Sequence, residues 1–289
     1  MKKLLFQFDT DFHPSVFDTV AAYDGGADHV SAYGGVAPEN VGKLVDGAIF
    51  TRAPRDKKNT ALFIGGGDMA AGEALLHAVE QHFFPGFQVS VMLDSNGCNT
   101  TAAAAVVKIL KSSAGDVSGK KAVVLAGTGP VGQRAAGLLA RLGAEVCISS
   151  RRTDNAERAA DAVNRRFNVE VRAAGATDAE ARADLIADAH IVLATGAAGV
   201  ELLSAEHWTG LPRLQVLADA NATPPAGLGG VDIMAKGELA HGKILWGAIG
   251  FGASKLALHR ACIARLFTAN KLILDAEQIF AIAREMESC

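Results

Sequence analysis

Gly127, Gly129 and Gly132 stand in the run AVVLAGTGPVGQRAAGLLARLGAEV, between a short apolar stretch and a helical one. Three glycines at this spacing let a strand turn sharply into a helix around a dinucleotide pyrophosphate. Gly127 permits the tight turn, Gly129 the approach of backbone to phosphate, and Gly132 the close packing of helix on strand. Thr128, Pro130 and Val131 fill the turn. Pro130 suits the first helical position. The helix start then offers free N–H groups and a positive dipole end to an anion.

About twenty residues further on, a dinucleotide fold usually places a carboxylate for the adenosine ribose. Here the chain reads CISSRR, residues 147–152. A carboxylate binds a free 2′-hydroxyl and repels a 2′-phosphate. Guanidinium does the reverse, through a forked, charge-assisted contact. Ser150, Arg151 and Arg152 therefore favour NADP over NAD, although the two arginines also suit a solvated loop. Asp154 reads as a helix cap, with Glu157 at capping-box spacing. Its other reading is a ribose acid displaced by two residues. Two later strand ends complete the cofactor set. LATGAAG supplies Thr195, Gly196 and Ala197, and ADANATPP supplies Asp219 and Asn221. A turn or cap role for Asp219 stays equally open.

The remaining chemistry-bearing residues form no metal motif. Cys98, Cys147, Cys262 and Cys289 make no C-x-x-C pair, and His77 and His82 lack ligand spacing. The expectation is no metal and no disulfide framework. The formal net charge of −3 lacks the basic field that nucleic acid attracts. No apolar run reaches the roughly 18 residues needed to span a bilayer, and the apolar start of the chain stops at Asp9. A reduced cytoplasm is the expected location.

The elements that must position these residues are short apolar runs alternating with helical patterns. That is the signature of βα units and a mainly parallel sheet. Strands are predicted over 3–9, 60–66 and 87–94, and helices over 14–23, 68–84 (with Asp68 as N-cap) and 99–113. A polar break at 114–121 follows. Six strands come next, over 122–127, 145–150, 169–174, 191–196, 214–220 and 244–250. Amphipathic helices are predicted over 254–267 and 275–287. The expected fold class is α/β: a Rossmann-type doubly wound sheet over 113–253, preceded by an N-terminal α/β substrate domain over 1–112. One helix within 254–289 is expected to pack back on that first domain.

Several stretches taken together carry more than the glycine fingerprint. They are FQFDTD (6–11), FIGGGDMAAGE (63–73), MLDSNGCNTTAAAA (92–105), GTGPVG (127–132), NATPPAGLGGVD (221–232) and KLALHRACIARLF (255–267). In them the chain resembles the bacterial NADP-dependent methylenetetrahydromethanopterin dehydrogenases of methylotroph one-carbon metabolism. LDSNGCNTT and SSRR are closer to the NADP-linked branch, some of whose members also accept methylenetetrahydrofolate. The resemblance implies a pterin-binding first domain, a cleft beside a Rossmann domain, and a homo-oligomer that is a trimer or a multiple of one. The implied reaction passes a hydride from a methylene bridge to NADP and needs neither metal nor strong base. Acceptors for the pterin edge are then expected among Asp9, Asp11, Asp94, Ser95, Asn96, Asn99 and Thr101, which equally suit turns and caps. Lys255 is the position the resemblance places near the reacting bridge, following the flexible run WGAIGFGAS. His259 reads as packed, and Cys98 as a small buried side chain. Two rivals keep the cofactor site: a shikimate-type dehydrogenase with Lys255 and Asp219 as a proton-transfer pair, and a non-catalytic NADP-binding sensor.

Overall fold

The computed structural model describes Met1–Ser288, and these residues divide into two compact units. The first comprises Met1–Thr100 and the chain from Leu256 onward; the second comprises Thr101–Lys255. Both divisions fall inside helices.

The chain begins with β1 (Leu4–Asp9), α1 (Val16–Asp24), β2 (His29–Tyr33), α2 (Gly42–Phe50), β3 (Thr60–Gly65), α3 (Met69–Gln81), β4 (Ser90–Leu93) and α4 (Cys98–Ser112). Then come β5 (Lys121–Leu125), α5 (Pro130–Arg141), β6 (Glu145–Ser150), α6 (Thr153–Phe167), β7 (Val171–Gly175), α7 (Ala179–Ile186), β8 (Ile191–Ala194) and α8 (Glu206–Thr209). β9 (Val216–Asp219), β10 (Lys236–Ala240), β11 (Lys243–Trp246), α9 (Ala248–Leu266), β12 (Ile273–Leu274) and α10 (Ala276–Ser288) complete it.

In the first unit the strand order is β12-β4-β3-β1-β2, and every pairing is parallel. β3 is buried along its whole length, which is why TALFIG reads as a continuous apolar run. The core behind it gathers Phe8, Val45, Ile49, Leu62, Ile64, Leu75 and Val79. Asp68 caps α3, its carboxylate accepting from Ala70 N at 2.8 Å and Ala71 N at 3.0 Å. The chain runs from β1 outward to β2 and then returns to the other side of β1 for β3. The order therefore reverses between β1 and β3, and such a reversal opens a crevice at the carboxyl ends of the strands.

The second unit repeats the device with order β10-β11-β9-β8-β5-β6-β7. Its reversal lies between β5 and β8. All its pairings are parallel except β10 with β11. Val123, Leu125, Val192, Ala194, Leu203, Trp208 and Leu217 belong to its core. The α/β class and Rossmann-type parallel sheet expected from the sequence are what the structure has.

Several boundaries differ. β4 starts at Ser90 rather than 87, because Phe87 instead bridges and stacks on Phe84. β7 covers 171–175 rather than 169–174, because Asn168 adopts a left-handed conformation that ends α6. The strand predicted over 244–250 stops at Trp246, and α9 begins at Ala248 rather than 254. The sequence reading also misses β2 and β10, edge strands with largely exposed side chains and no clean alternation.

Candidate functional site

Within the second unit, the ends of β5, β6 and β8 open onto a cleft of about 810 Å³. Its walls include Ala126, Thr128, Gly129, Ser150, Arg151 and Arg152 from the first two strand ends, and Thr195, Gly196 and Ala197 from the third. The turn after β5 is pinned in place. Gly127 N donates to Ser149 O at 3.0 Å, and Ala126 N to Ser149 Oγ at 3.2 Å. Thr195 N donates to Leu125 O at 3.0 Å, which ties the third strand end to the first. Gln133 Nε2 donates to Thr128 O at 2.7 Å.

The glycines divide their work differently from the sequence expectation. The left-handed residue of the turn is Ala126, at φ 50°. Gly127 is required by crowding: a Cβ there would stand 2.9 Å from Val124 O and 3.1 Å from Ile148 Cγ2. Gly132 packs helix on turn, since its Cβ would stand 2.6 Å from Gly127 Cα. Gly129 is the exception. It caps α5 with φ −77° and ψ 170°, and a Cβ there would meet no protein atom within 4 Å. Nothing in the fold asks for glycine at 129. Pro130 takes the first helical position, as expected, and Val131 follows it.

At the end of β6 the two arginines differ. Arg152 is the N-cap residue of α6, and its guanidinium is forked onto Asp154 at 3.0 and 2.7 Å. This bond holds the Asp154 carboxyl below its usual range and pushes the Arg152 guanidinium higher. Asp154 is therefore not the cap expected of it. It sits inside the first turn, where it favours the positive helix end and binds Arg152. Arg151 lines the same cleft and makes no hydrogen bond or ion pair among the described residues. Three polar cleft residues escaped the sequence reading: Asn155, Thr177 and Arg182. Arg182 donates from Nε to Leu202 O at 2.8 Å and from Nη1 to Ala176 O at 3.4 Å. Burial lowers its pKa, Asp178 opposes that, and Arg151 reinforces it.

Asp219 and Asn221 lie behind this surface. Asp219 is 1% exposed, and its oxygens accept from Asn221 N at 2.9 Å and Leu228 N at 2.7 Å. Asn221 Nδ2 donates to Pro225 O at 3.2 Å. Burial pushes the Asp219 carboxyl above the usual range, outweighing those hydrogen bonds. A carboxyl raised in this way binds its proton more readily folded than unfolded. Its contribution to stability therefore falls as pH rises from the ordinary carboxylate value through the raised one. Urea midpoints measured across that interval are expected to fall more steeply with pH in the wild type than in Asp219→Asn.

In the first unit, the loops after β1, β3 and β4 close on one another at the crevice. Asp9 is buried, with its oxygens accepting from Asp11 N and Ser15 N, each at 3.0 Å. Asp11 is exposed and accepts from Gly67 N at 2.9 Å. Gly66 lies at φ +110°, and a Cβ there would strike Thr10 Oγ1 at 1.9 Å. At Gly72 it would strike Ser95 Oγ at 2.0 Å. These contacts account for GGGDMAAGE as a close junction of three loops. Asp94 is buried and holds the start of α4. Its Oδ1 accepts from Asn99 N at 2.9 Å and Thr100 N at 3.0 Å, and its Oδ2 from Thr100 Oγ1 at 2.6 Å. Asn99 donates to Leu93 O at 2.7 Å and to Asp275 at 3.0 Å. Ser95 is buried, Asn96 is exposed at φ 55°, and Thr101 lies half-buried in the first turn of α4. The carboxylates of Asp9 and Asp94 thus carry structural hydrogen bonds, while Asp11 and Asn96 face outward. Phe12, missed in the sequence, is 82% exposed beside Asp11.

Lys255 stands two turns inside α9, so the run before it is not flexible as expected. Two of its glycines serve packing: a Cβ at Gly247 would stand 2.2 Å from Asp232 O and one at Gly250 1.7 Å from Ala235 O, while Gly252 faces open space. His259 is 1% exposed, stacked on Phe63 at 5.4 Å, with Nδ1 3.7 Å from Asp94. Cys98 is buried, and Cys289 lies outside the described residues. Among the described residues no cluster of His, Cys, Asp and Glu could hold a metal, and no helix is long and apolar enough to cross a membrane.

Residues 16–96 match the family model described as methylene-tetrahydromethanopterin dehydrogenase, N-terminal. Over 285 residues the chain is 55% identical to the Bifunctional protein MdtA of Methylorubrum extorquens, covering 99% of each. It is 33% identical over 282 residues, 95% of each, to the NAD(P)-dependent methylenetetrahydromethanopterin dehydrogenase of the same organism. Among solved structures, quinate dehydrogenase from Corynebacterium glutamicum in complex with NAD superposes with a TM-score of 0.53 at 18% identity, covering 100% of this chain and 99% of that one. That likeness is one of fold.

Proposed function

The chain belongs to the methylene-tetrahydromethanopterin dehydrogenase family, and from that premise we propose that it oxidises the methylene bridge of methylenetetrahydromethanopterin with NADP. Methylenetetrahydrofolate, which has the same reacting bridge, is the proposed second substrate. The chain is accordingly an oxidoreductase of one-carbon metabolism. The observation that carries the cofactor reading is the ribose end of the cleft, where Asp154 neutralises Arg152 and leaves Arg151 facing the ligand space.

When bound, the nicotinamide accepts the hydride. The protein's part is to bind and orient. Gly127, Thr128, Gly129, Pro130, Val131 and Gly132 would hold the pyrophosphate at the start of α5. Ser150 and Arg151 would take the 2′-phosphate, with Arg152 beside them held on Asp154, and Thr195, Gly196 and Ala197 would approach the nicotinamide half. Asp219 and Asn221 support that wall from behind. In the first unit, Asp11 and Asn96 are the outward acceptors for a pterin edge, with Phe12 offering a ring face. Asp9, Asp94, Ser95, Asn99 and Thr101 shape the loops that present them.

Loss of a hydride from carbon between two nitrogens leaves a cation delocalised over both nitrogens. No O–H proton departs, so a strong general base has no task. Catalysis then rests on ring-to-ring positioning and on the local field. A charged lysine beside that cation would oppose its formation. Lys255 is therefore assigned to substrate orientation, through a carbonyl contact. A homo-oligomer, a trimer or a multiple of one, working in the cytoplasm completes the reading.

The test mixes purified protein with methylenetetrahydromethanopterin and NADP⁺ and follows NADPH and methenyl absorbance. Turnover is expected. Its absence with this substrate and with methylenetetrahydrofolate would reject the assignment. Oxidation of shikimate would favour a shikimate-type enzyme, and NADP binding without any turnover a sensor. Replacing both Arg151 and Arg152 by Ala is expected to raise the NADP⁺ KM about 10- to 100-fold, the scale of one or two charge-assisted bonds. The pterin KM should stay within about threefold, because these residues lie at the adenosine end of the cofactor. An unchanged NADP⁺ KM would rule out the phosphate clamp.

A further inference from the structure

Arg182 reaches the ribose end of the cleft from α7, an element distant in sequence from both the glycine turn and SSRR. We infer that Arg182 is the second arm of the 2′-phosphate site and, with Arg151, sets the preference for NADP over NAD. The inference rests on the NADP reading above and adds to it a residue that neither the fingerprint nor the ribose loop contains.

The first support is how Arg182 is held. Its Nε and Nη1 donate to two backbone carbonyls, Leu202 O and Ala176 O. Carbonyls orient a guanidinium without cancelling its charge. Among the described residues no carboxylate lies within ion-pair distance of it. Asp178 attracts it from further off, but that carboxylate caps α7 at Ala181 N and accepts from Thr177 Oγ1. Two of the five guanidinium N–H groups are committed, and the Nη2 pair remains for a ligand.

The second support is charge. Arg151 and Arg182 line one cleft and repel each other. Two like charges held together in a partly dry place are unfavourable until an anion joins them. Arg152 adds little, because Asp154 already neutralises it. The cleft end therefore carries the equivalent of two uncompensated positive charges. A phosphate monoester brings about −1.5 to −2 at neutral pH. A free ribose 2′-hydroxyl brings none. Thr177, between β7 and α7, lines the same cleft, its hydroxyl donating to Asp178.

The experiment compares two ligands that differ only in the 2′-phosphate, 2′,5′-ADP and 5′-AMP. Both are titrated calorimetrically into wild type, Arg182→Met, Arg182→Lys and Arg151→Ala. Arg182→Met is expected to weaken 2′,5′-ADP about 10- to 100-fold, the scale of a charge-assisted fork, and to leave 5′-AMP within about threefold. Arg182→Lys keeps the charge and loses the fork, so a smaller loss confined to 2′,5′-ADP is expected. Should the Met variant not fold, the Lys variant decides by the same criterion. A wild type that does not prefer 2′,5′-ADP would overturn the NADP reading itself. A wild type that prefers it, with the preference lost in Arg151→Ala and intact at position 182, would overturn the role of Arg182 alone. Equal weakening of both nucleotides at position 182 would mark a merely structural tether and would also overturn it.

Discussion

Replacing Gly129 by alanine is expected to leave the folded protein as stable as wild type and to weaken NADP⁺ about 100-fold or more. The stability half follows from empty space. A Cβ at 129 meets nothing within 4 Å, and the residue already lies at φ −77°, which alanine adopts without strain. The binding half follows from what that space is for. Gly129 caps α5, where the unpaired N–H groups of the first turn point outward. A methyl group there holds a pyrophosphate off those donors, and each charge-assisted bond lost is worth about 1.5–3 kcal/mol. Gly132→Ala is the contrasting variant. Its Cβ would stand 2.6 Å from Gly127 Cα and 2.7 Å from Gly127 O, backbone atoms that cannot rotate away. Overpacking of this kind costs about 1–3 kcal/mol, so the melting temperature and the affinity should fall together. Thermal scans with and without NADP⁺ distinguish the two variants. Full NADP⁺ affinity in Gly129→Ala would mean that no phosphate lies against this turn.

The two glycines also show how far the sequence could be read. GTGPVG announces a strand, a turn and a helix, and all three stand where the spacing puts them. Which glycine the fold itself requires is invisible in the letters, because it depends on the distance to Val124, Ile148 and Thr195, far apart in the chain. SSRR was legible as a basic strand end, but the different pairing of its two arginines was not. That is decided by the fork between Arg152 and Asp154 across the start of α6. Arg182 carried no local signal at all, since it joins the cleft only because α7 follows β7 at the sheet edge. In the first unit, Asp and Asn at strand ends read alike as ligands or as caps. The structure separates them by exposure and by partner: Asp11 outward, Asp9 and Asp94 inward.

Asp94→Ala is expected to destabilise the first unit by about 3–5 kcal/mol, as unpaired buried donors and a lost helix cap together would. The carboxylate is 1% exposed, and its acceptors serve Asn99 N, Thr100 N and Thr100 Oγ1. Alanine removes all of these at once from a place water does not reach. The damage should extend to α9, since Asp94 also lies 3.7 Å from the buried His259. Asp94→Asn keeps one oxygen and turns an N–H₂ toward the other donors, so an intermediate loss is expected. Urea unfolding followed by circular dichroism measures the series, and the pterin KM of the surviving Asn variant completes it. If Asp94 acts through the fold, stability falls in the order wild type, Asn, Ala, and the pterin KM of the Asn variant moves little. A stable Asp94→Ala with a large rise in pterin KM would reverse the assignment and make this carboxylate a direct acceptor for the substrate. The buried geometry favours the first outcome, because a carboxylate that already accepts three hydrogen bonds has little capacity left for a ligand.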